Sequence, residues 1–150
     1  MAQTLVSLLV HVVFSTKNRA DLITPEIEPD LFAYVGAILK NHESRGLAAG
    51  GTANHMHLLV SLSKNVALSA LVAEVKKSTS KWIKTKGQEF GGFAWQDGYG
   101  AFTIGQSNVA PLKSYIARQK EHHRERSFES ELRALLERYG VAYDERHLWG

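Results

Sequence analysis

The sequence predicts an α+β domain in which one antiparallel sheet is covered on one face by two helices. Three observations carry this. Apolar residues alternate through two stretches, the period of a strand. They recur every three or four positions through two longer stretches, the period of a helix. The order along the chain is strand, helix, strand, strand, helix, strand, followed by two extra helices. That order is the split βαβ, or ferredoxin-like, pattern, in which the first and third strands are central and both crossover helices cover one face.

The first strand is expected over Thr4 to Thr16, with Val6, Leu8, Val10, Val12 and Phe14 on one face. Lys17 and Arg19 follow at its end. Thr24-Pro25-Glu26 reads as a helix start, with a capping hydroxyl, a first-turn proline and an acid near the positive end of the dipole. That helix carries Ile27, Leu31, Val35, Ile38 and Leu39 and is expected to run to Arg45, stopped by Gly46. Leu47 to Ala53 is a short strand weakened by Gly50-Gly51. The next strand spans Asn54 to Leu62. A basic helix from Val66 to Lys86 has Leu68, Leu71, Val72, Val75 and Trp82 on its apolar side. Asp97-Gly98 signals a hairpin ahead of a strand from Tyr99 to Ile104. Asn108 is placed to cap a helix carrying Leu112, Tyr115, Ile116 and Gln119. Ser127 caps the last helix, whose apolar side is Phe128, Leu132, Leu135, Leu136 and Tyr139.

At 150 residues, with 44% hydrophobic and 22% charged, the chain fits a single globular domain spanning 1–150. It has no cysteine, which excludes thiolate metal sites and suits a reducing, cytoplasmic setting. No apolar run approaches the length of a membrane span, and the N-terminus lacks the basic region of a signal peptide. A net charge of +3 permits a nucleic-acid partner without identifying one.

The chemistry centres on Asn54-His55-Met56-His57-Leu58-Leu59-Val60. Side chains alternate in a strand, so His55 and His57 share a face, about 6–7 Å apart along the chain. Met56, Leu58, Val60 and Leu62 form the apolar face behind them. If that apolar face meets the crossover helices, the histidines lie on the other side of the sheet, under an added helix. His11 is expected to point there too, as a packed or hydrogen-bonded histidine. Tyr115 and Gln119, four apart on a helix, share a face. Together the four residues suggest a metal-assisted nucleophilic site. Gln119 would be a third ligand beside two imidazoles, and Tyr115 would attack phosphorus. A mixed N/O site of this kind suits Mg²⁺ or Mn²⁺. Attack by the phenol exchanges one phosphate ester for another, so a cut strand can be rejoined without outside energy.

His55-Met56-His57 with Leu58-Leu59-Val60, and Tyr115-Ile116 with Gln119, resemble the two signatures of the single-tyrosine HUH transposases of the insertion-sequence-200-like superfamily. His11-Val12-Val13-Phe14 with Thr16-Lys17-Asn18-Arg19, and Trp95 to Phe102, match as well, and the resemblance covers about residue 8 to Trp149. It implies a homodimer that cleaves and rejoins single-stranded DNA, often beside a folded hairpin. It implies a divalent metal on His55, His57 and Gln119, and a covalent 5′-phosphotyrosine on Tyr115. The tail beyond about Glu121 resembles a subgroup of stand-alone members, some of which act on dispersed chromosomal repeats.

Two rival readings are open to the sequence. One is a metal-dependent phosphoesterase that uses water and does not need Tyr115. The other is a non-catalytic nucleic-acid-binding module using the open sheet face and aromatics such as Trp95 and Tyr99. Lys17, Arg19, Lys76, Lys77 and Lys81 are the candidate DNA contacts.

Overall fold

The computed structural model describes residues 2–150. Its sheet contains β1 (Leu9–Ser15), β2 (Arg45–Thr52), β3 (His55–Ser61) and β4 (Gly100–Thr103), all antiparallel, in the order β2-β3-β1-β4. Helix α1 (Glu28–Asn41) joins β1 to β2, and α2 (Leu68–Lys84) joins β3 to β4. This is the ferredoxin-like arrangement, with β1 and β3 central. Three helices follow β4: α3 (Val109–Ala117), the single-turn α4 (Gln119–His122) and α5 (Phe128–Arg138).

The two sheet faces have different partners. Val12, Phe14, Met56, Leu58 and Val60 pack against α1 and α2 in the larger core. Val13 and Phe102 point the other way and meet Phe128, Leu132 and Leu136 of α5. Val13 pairs with His57 and Ser15 with His55, so both histidines stand on this second face. Period-two alternation therefore decides on which side of the sheet the chemistry lies.

Element boundaries differ from the sequence reading in four places. Strand β1 starts at Leu9, not Thr4, because its neighbours end at Ser61 and Thr103 and offer earlier residues no ladder; Leu5 and Val6 are exposed. Helix α1 starts at Glu28, with Pro29 in its first turn, and not at Thr24-Pro25-Glu26; it ends at Asn41, after which Glu43 turns the chain with φ 58°. Gly46 is consequently a strand residue at the β2 irregularity and not a helix stop. Asp97-Gly98 does not close a hairpin. Instead Trp95 bridges to Thr16, and Gln96 accepts a hydrogen bond from Ser15 N through its side-chain Oε1 at 2.7 Å, extending the edge of β1. Finally, the expected single helix through Gln119 breaks at Arg118 (φ −103°, ψ 21°), separating α3 from α4.

Candidate active site

The site lies between the histidine face of β3 and the layer formed by α3, α4 and α5. Close approach of that layer depends on Gly50 in β2. A Cβ there would sit 2.4 Å from the Ile116 carbonyl oxygen and 2.8 Å from Ile116 Cγ2. The absence of a side chain lets α3 rest directly on the sheet, and the next residue back along that helix is Tyr115.

His55, His57, Gln119 and Glu131 are all buried. His57 Nε2 is 2.9 Å from Glu131 Oε1, and His123 Nε2 is 3.1 Å from the same oxygen. His55 Nε2 is 3.5 Å from it and 3.0 Å from Gln119 Oε1. Gln119 donates through Nε2 to Glu131 Oε2 at 3.1 Å. The Tyr115 hydroxyl donates to that second oxygen as well. Groups from β3, α3 and α4, with His123 just after α4, thus converge on one carboxylate of α5.

The outer nitrogens of the histidines are also held. His55 Nδ1 lies 2.8 Å from both Asn54 Oδ1 and Thr52 Oγ1. Donation from Nδ1 to Asn54 turns the Nε2 lone pair inward, the tautomer a metal ligand requires. His57 Nδ1 pairs with His11 Nε2 at 2.7 Å, their rings stacked 5.0 Å apart. His11 is therefore the hydrogen-bonded, packed histidine expected from the sequence.

Electrostatics match this crowding. Burial lowers His11 and His55 to about 3, with His57 lowering each further. Both rings are neutral across the physiological range. Burial works to raise Glu131, but the neighbouring His123 and His57 rings and the Tyr115 hydroxyl outweigh it and hold the carboxyl well below the usual range. Tyr115 is pushed above its ordinary value by burial and by its bond to Glu131. The phenol is thus held firmly protonated by the negative group beside it.

The donor set fits a divalent cation. His55, His57, His123 and Glu131 each offer one atom, all within 4.8 Å of one another. Ligands around an ion at about 2.1 Å lie about 3.0–3.4 Å apart, and the contacts at Glu131 span that range. His123 Nε2 is buried with no well-directed hydrogen bond despite its proximity to Glu131. A buried ring nitrogen in that position is one that a cation beside the carboxylate would engage.

The structure therefore brings together His55, His57, Tyr115 and Gln119, as the sequence led one to expect, and adds two residues that sequence reasoning did not single out as part of the site. Glu131 follows Phe128 by three and precedes Leu135 by four, so it is a charge inside an apolar helical stripe, and that was its signal. His123 follows Gln119 by four, continuing the spacing of Tyr115 and Gln119.

The candidate DNA contacts are scattered. Lys17 and Arg19 sit in the turn after β1, where Thr16 N donates to Asn54 O at 2.8 Å, next to the histidine strand. Arg19 donates to the Trp149 carbonyl at 2.8 Å. Lys76 is half-buried and donates to the carbonyls of Gln96, Asp97 and Gly98; desolvation lowers it to about 8, against the opposing charge of Asp97. Lys77 and Lys81 are exposed on α2, whose apolar side packs on the sheet face away from the histidines. Trp95 is buried in the larger core with its Nε1 donating to Thr79, and it is not a stacking platform.

A ferredoxin-like sheet thus carries a buried His-x-His pair on its open face, with a tyrosine on an added helix beside it. The chain belongs to the family described as transposase, IS200 like, whose model matches residues 4–119. No curated protein matches it in sequence. Among solved structures, it is similar to a candidate transposase from Deinococcus radiodurans R1, with a TM-score of 0.63 at 19% identity, covering 79% of this chain and 95% of that one. It is also similar to a REP-associated tyrosine transposase bound to a REP hairpin, with a TM-score of 0.61 at 15% identity, covering 82% and 73% respectively. At these identities the likeness is one of fold.

Proposed function

We propose that this transposase cleaves and rejoins single-stranded DNA with Tyr115 as the nucleophile. The observation that carries the reading is the meeting of the Tyr115 hydroxyl, Gln119, His55 and His57 at one buried carboxylate, from positions spread over 77 residues between His55 and Glu131. A purely structural network would not require a tyrosine hydroxyl on a helix added to the fold.

His55, His57 and Gln119, with Glu131 beside them, would hold a divalent ion. The mixed imidazole and oxygen set accepts Mg²⁺ or Mn²⁺, and the imidazoles tilt it toward Mn²⁺. A bound ion would supply Lewis-acid polarisation of a phosphate oxygen and would offset the negative charge that now holds the phenol protonated. Tyr115 Oη then attacks the scissile phosphorus while the bond from phosphorus to the 3′ oxygen breaks. Glu131 Oε2, which accepts the phenol's hydrogen bond, would take its proton as the new ester forms and return one to the departing 3′ oxygen. The product is a 5′-phosphotyrosine and a free 3′ hydroxyl, and the reverse attack rejoins a strand.

The REP hairpin in the structural neighbour supports hairpin-bearing single-stranded DNA as the substrate. The homodimer implied by the sequence resemblance is part of this proposal, although every group described at the site comes from one chain.

The test is a labelled single strand carrying the gene's own flanking sequence, incubated with Mn²⁺ and run on a denaturing detergent gel. A metal-dependent adduct of protein plus DNA is expected, abolished in Tyr115→Phe while DNA binding is retained. Cleavage without an adduct would overturn the assignment in favour of a water-using phosphoesterase. Removing metal with a chelator, or His57→Ala, should abolish cleavage with little change in hairpin affinity.

A further inference from the structure

A cavity of about 390 Å³ opens between α3 and α5, and Tyr115, Glu131 and His11 contribute to its lining. Pro111 and Leu112 form part of one side, Leu135 and Tyr139 part of the other. Three arginines, Arg118, Arg126 and Arg138, also line it, all of them exposed. Its size is that of a site for one small ligand and not for a duplex. We propose that this cavity binds one unpaired nucleotide adjoining the scissile phosphate, with its base against the apolar walls and its phosphates on the arginines. The inference rests on the transposase reading above and adds a subsite that the protein itself reads.

The charge distribution is the main argument. None of the three arginines pairs with a carboxylate among the described residues. Arg118 donates to the Ser114 carbonyl at 3.3 Å and Arg126 to the Ser130 carbonyl at 3.5 Å, which steadies each side chain and leaves its charge uncompensated. By contrast, Arg133 and Arg146, nearby in sequence, are paired with Glu145 and Asp144. The only acid in the lining is Glu131, and it is occupied by His57, His123, Tyr115 and Gln119. The cavity is therefore cationic at its mouth and apolar at its sides, the combination that suits a phosphate joined to a flat heterocycle. Arg guanidinium groups are suited to phosphate in particular, through bidentate donation.

Position makes the second argument. A phosphodiester attacked by Tyr115 Oη must carry a nucleotide on either side. The cavity, lined by Tyr115 itself and by His11 of the sheet, adjoins that residue and has room for one of them. Tyr139 is part of this wall; its ring stacks on Phe102 at 4.8 Å, and the Arg138 guanidinium lies 5.9 Å from its centroid.

Binding of a dye-labelled random single-stranded 12-mer to the metal-free protein, measured by anisotropy across a salt series, tests this. Arg118→Ala, Arg126→Ala and Arg138→Ala should each weaken binding about fivefold and flatten the salt slope by about 0.7. Leu135→Trp, which fills the cavity, should weaken binding and suppress the Tyr115 adduct, while Lys40→Ala on α1 should change neither. Unchanged affinity and slope in all three arginine variants would overturn the subsite, even if the adduct forms and the transposase reading stands. Arginine-dependent binding without any adduct from the wild-type protein would keep the nucleotide site and remove the catalytic reading instead.

Discussion

Glu131 shows how one side chain can organise a site without belonging to a recognisable motif. It is two-pronged: Oε1 faces the histidines and Oε2 faces Tyr115 and Gln119. The same neighbours make the protein sensitive to acid. His11 and His55 are held at about 3 when folded against 6.5 in the unfolded chain, so between these values the unfolded state binds protons that the folded state does not. Stability is then fully present above pH 6.5 and falls as the pH drops, by about 1.4 kcal/mol per pH unit for each of the two histidines. Glu131, depressed in the folded state, adds to the loss only below the ordinary carboxylate range. Urea unfolding of the metal-free protein from pH 7 to 5 should show this slope, and His11→Gln should reduce it by one histidine's share. An identical slope in the variant would show that His11 is not held neutral. The histidine pair was legible in the sequence because alternation assigns faces. Glu131 was harder to see because its role depends on how α5 folds back over the sheet, which no local pattern specifies.

At the scale of the element, the position of α3 decides whether Tyr115 reaches the site. Helix α3 is held against β2 at Gly50, where a methyl group would fall within 2.4 Å of the Ile116 carbonyl. Gly50→Ala should therefore displace the helix, cost about 1–3 kcal/mol of stability as overpacking does, and reduce adduct formation far more than DNA binding. Full cleavage activity in a stably folded Gly50→Ala protein would mean that the helix has latitude the packing does not suggest. Sequence alone read this glycine only as a weak point in a strand. Its close contact is tertiary, with a residue 66 positions later, and leaves no trace in local propensity. The break at Arg118 was equally hidden: Tyr115 and Gln119 keep their shared direction despite it because both are drawn to the same carboxylate. The cap of α5 was legible, with Ser127 Oγ accepting from Ser130 N at 3.1 Å. Ser127→Ala should loosen the turn that presents Glu131 and lower stability by about 1 kcal/mol, measurable by thermal unfolding.

For the whole molecule, the open question of which subunit's tyrosine acts turns on geometry. Tyr115, Gln119 and Glu131 close over the His55 and His57 of their own chain, and α3 to α5 fill the sheet face that the crossover helices leave open. A tyrosine acting in a partner would have to lift α3 away from Gly50 and surrender its bond to Glu131, exposing Ile116, which is buried. Action within one chain would keep these contacts, and action in a partner would break them. Mixing His57→Ala with Tyr115→Phe separates the alternatives. Each variant lacks one half of the chemistry, so a tyrosine confined to its own chain leaves the mixture inactive at any ratio. A tyrosine working across a dimer would restore adduct on the His57→Ala chain, because that chain would lend its intact Tyr115 to the intact histidines of the other. Light scattering on the same mixture shows whether dimers are present to be tested, so an inactive mixture of dimers would assign the tyrosine to its own subunit.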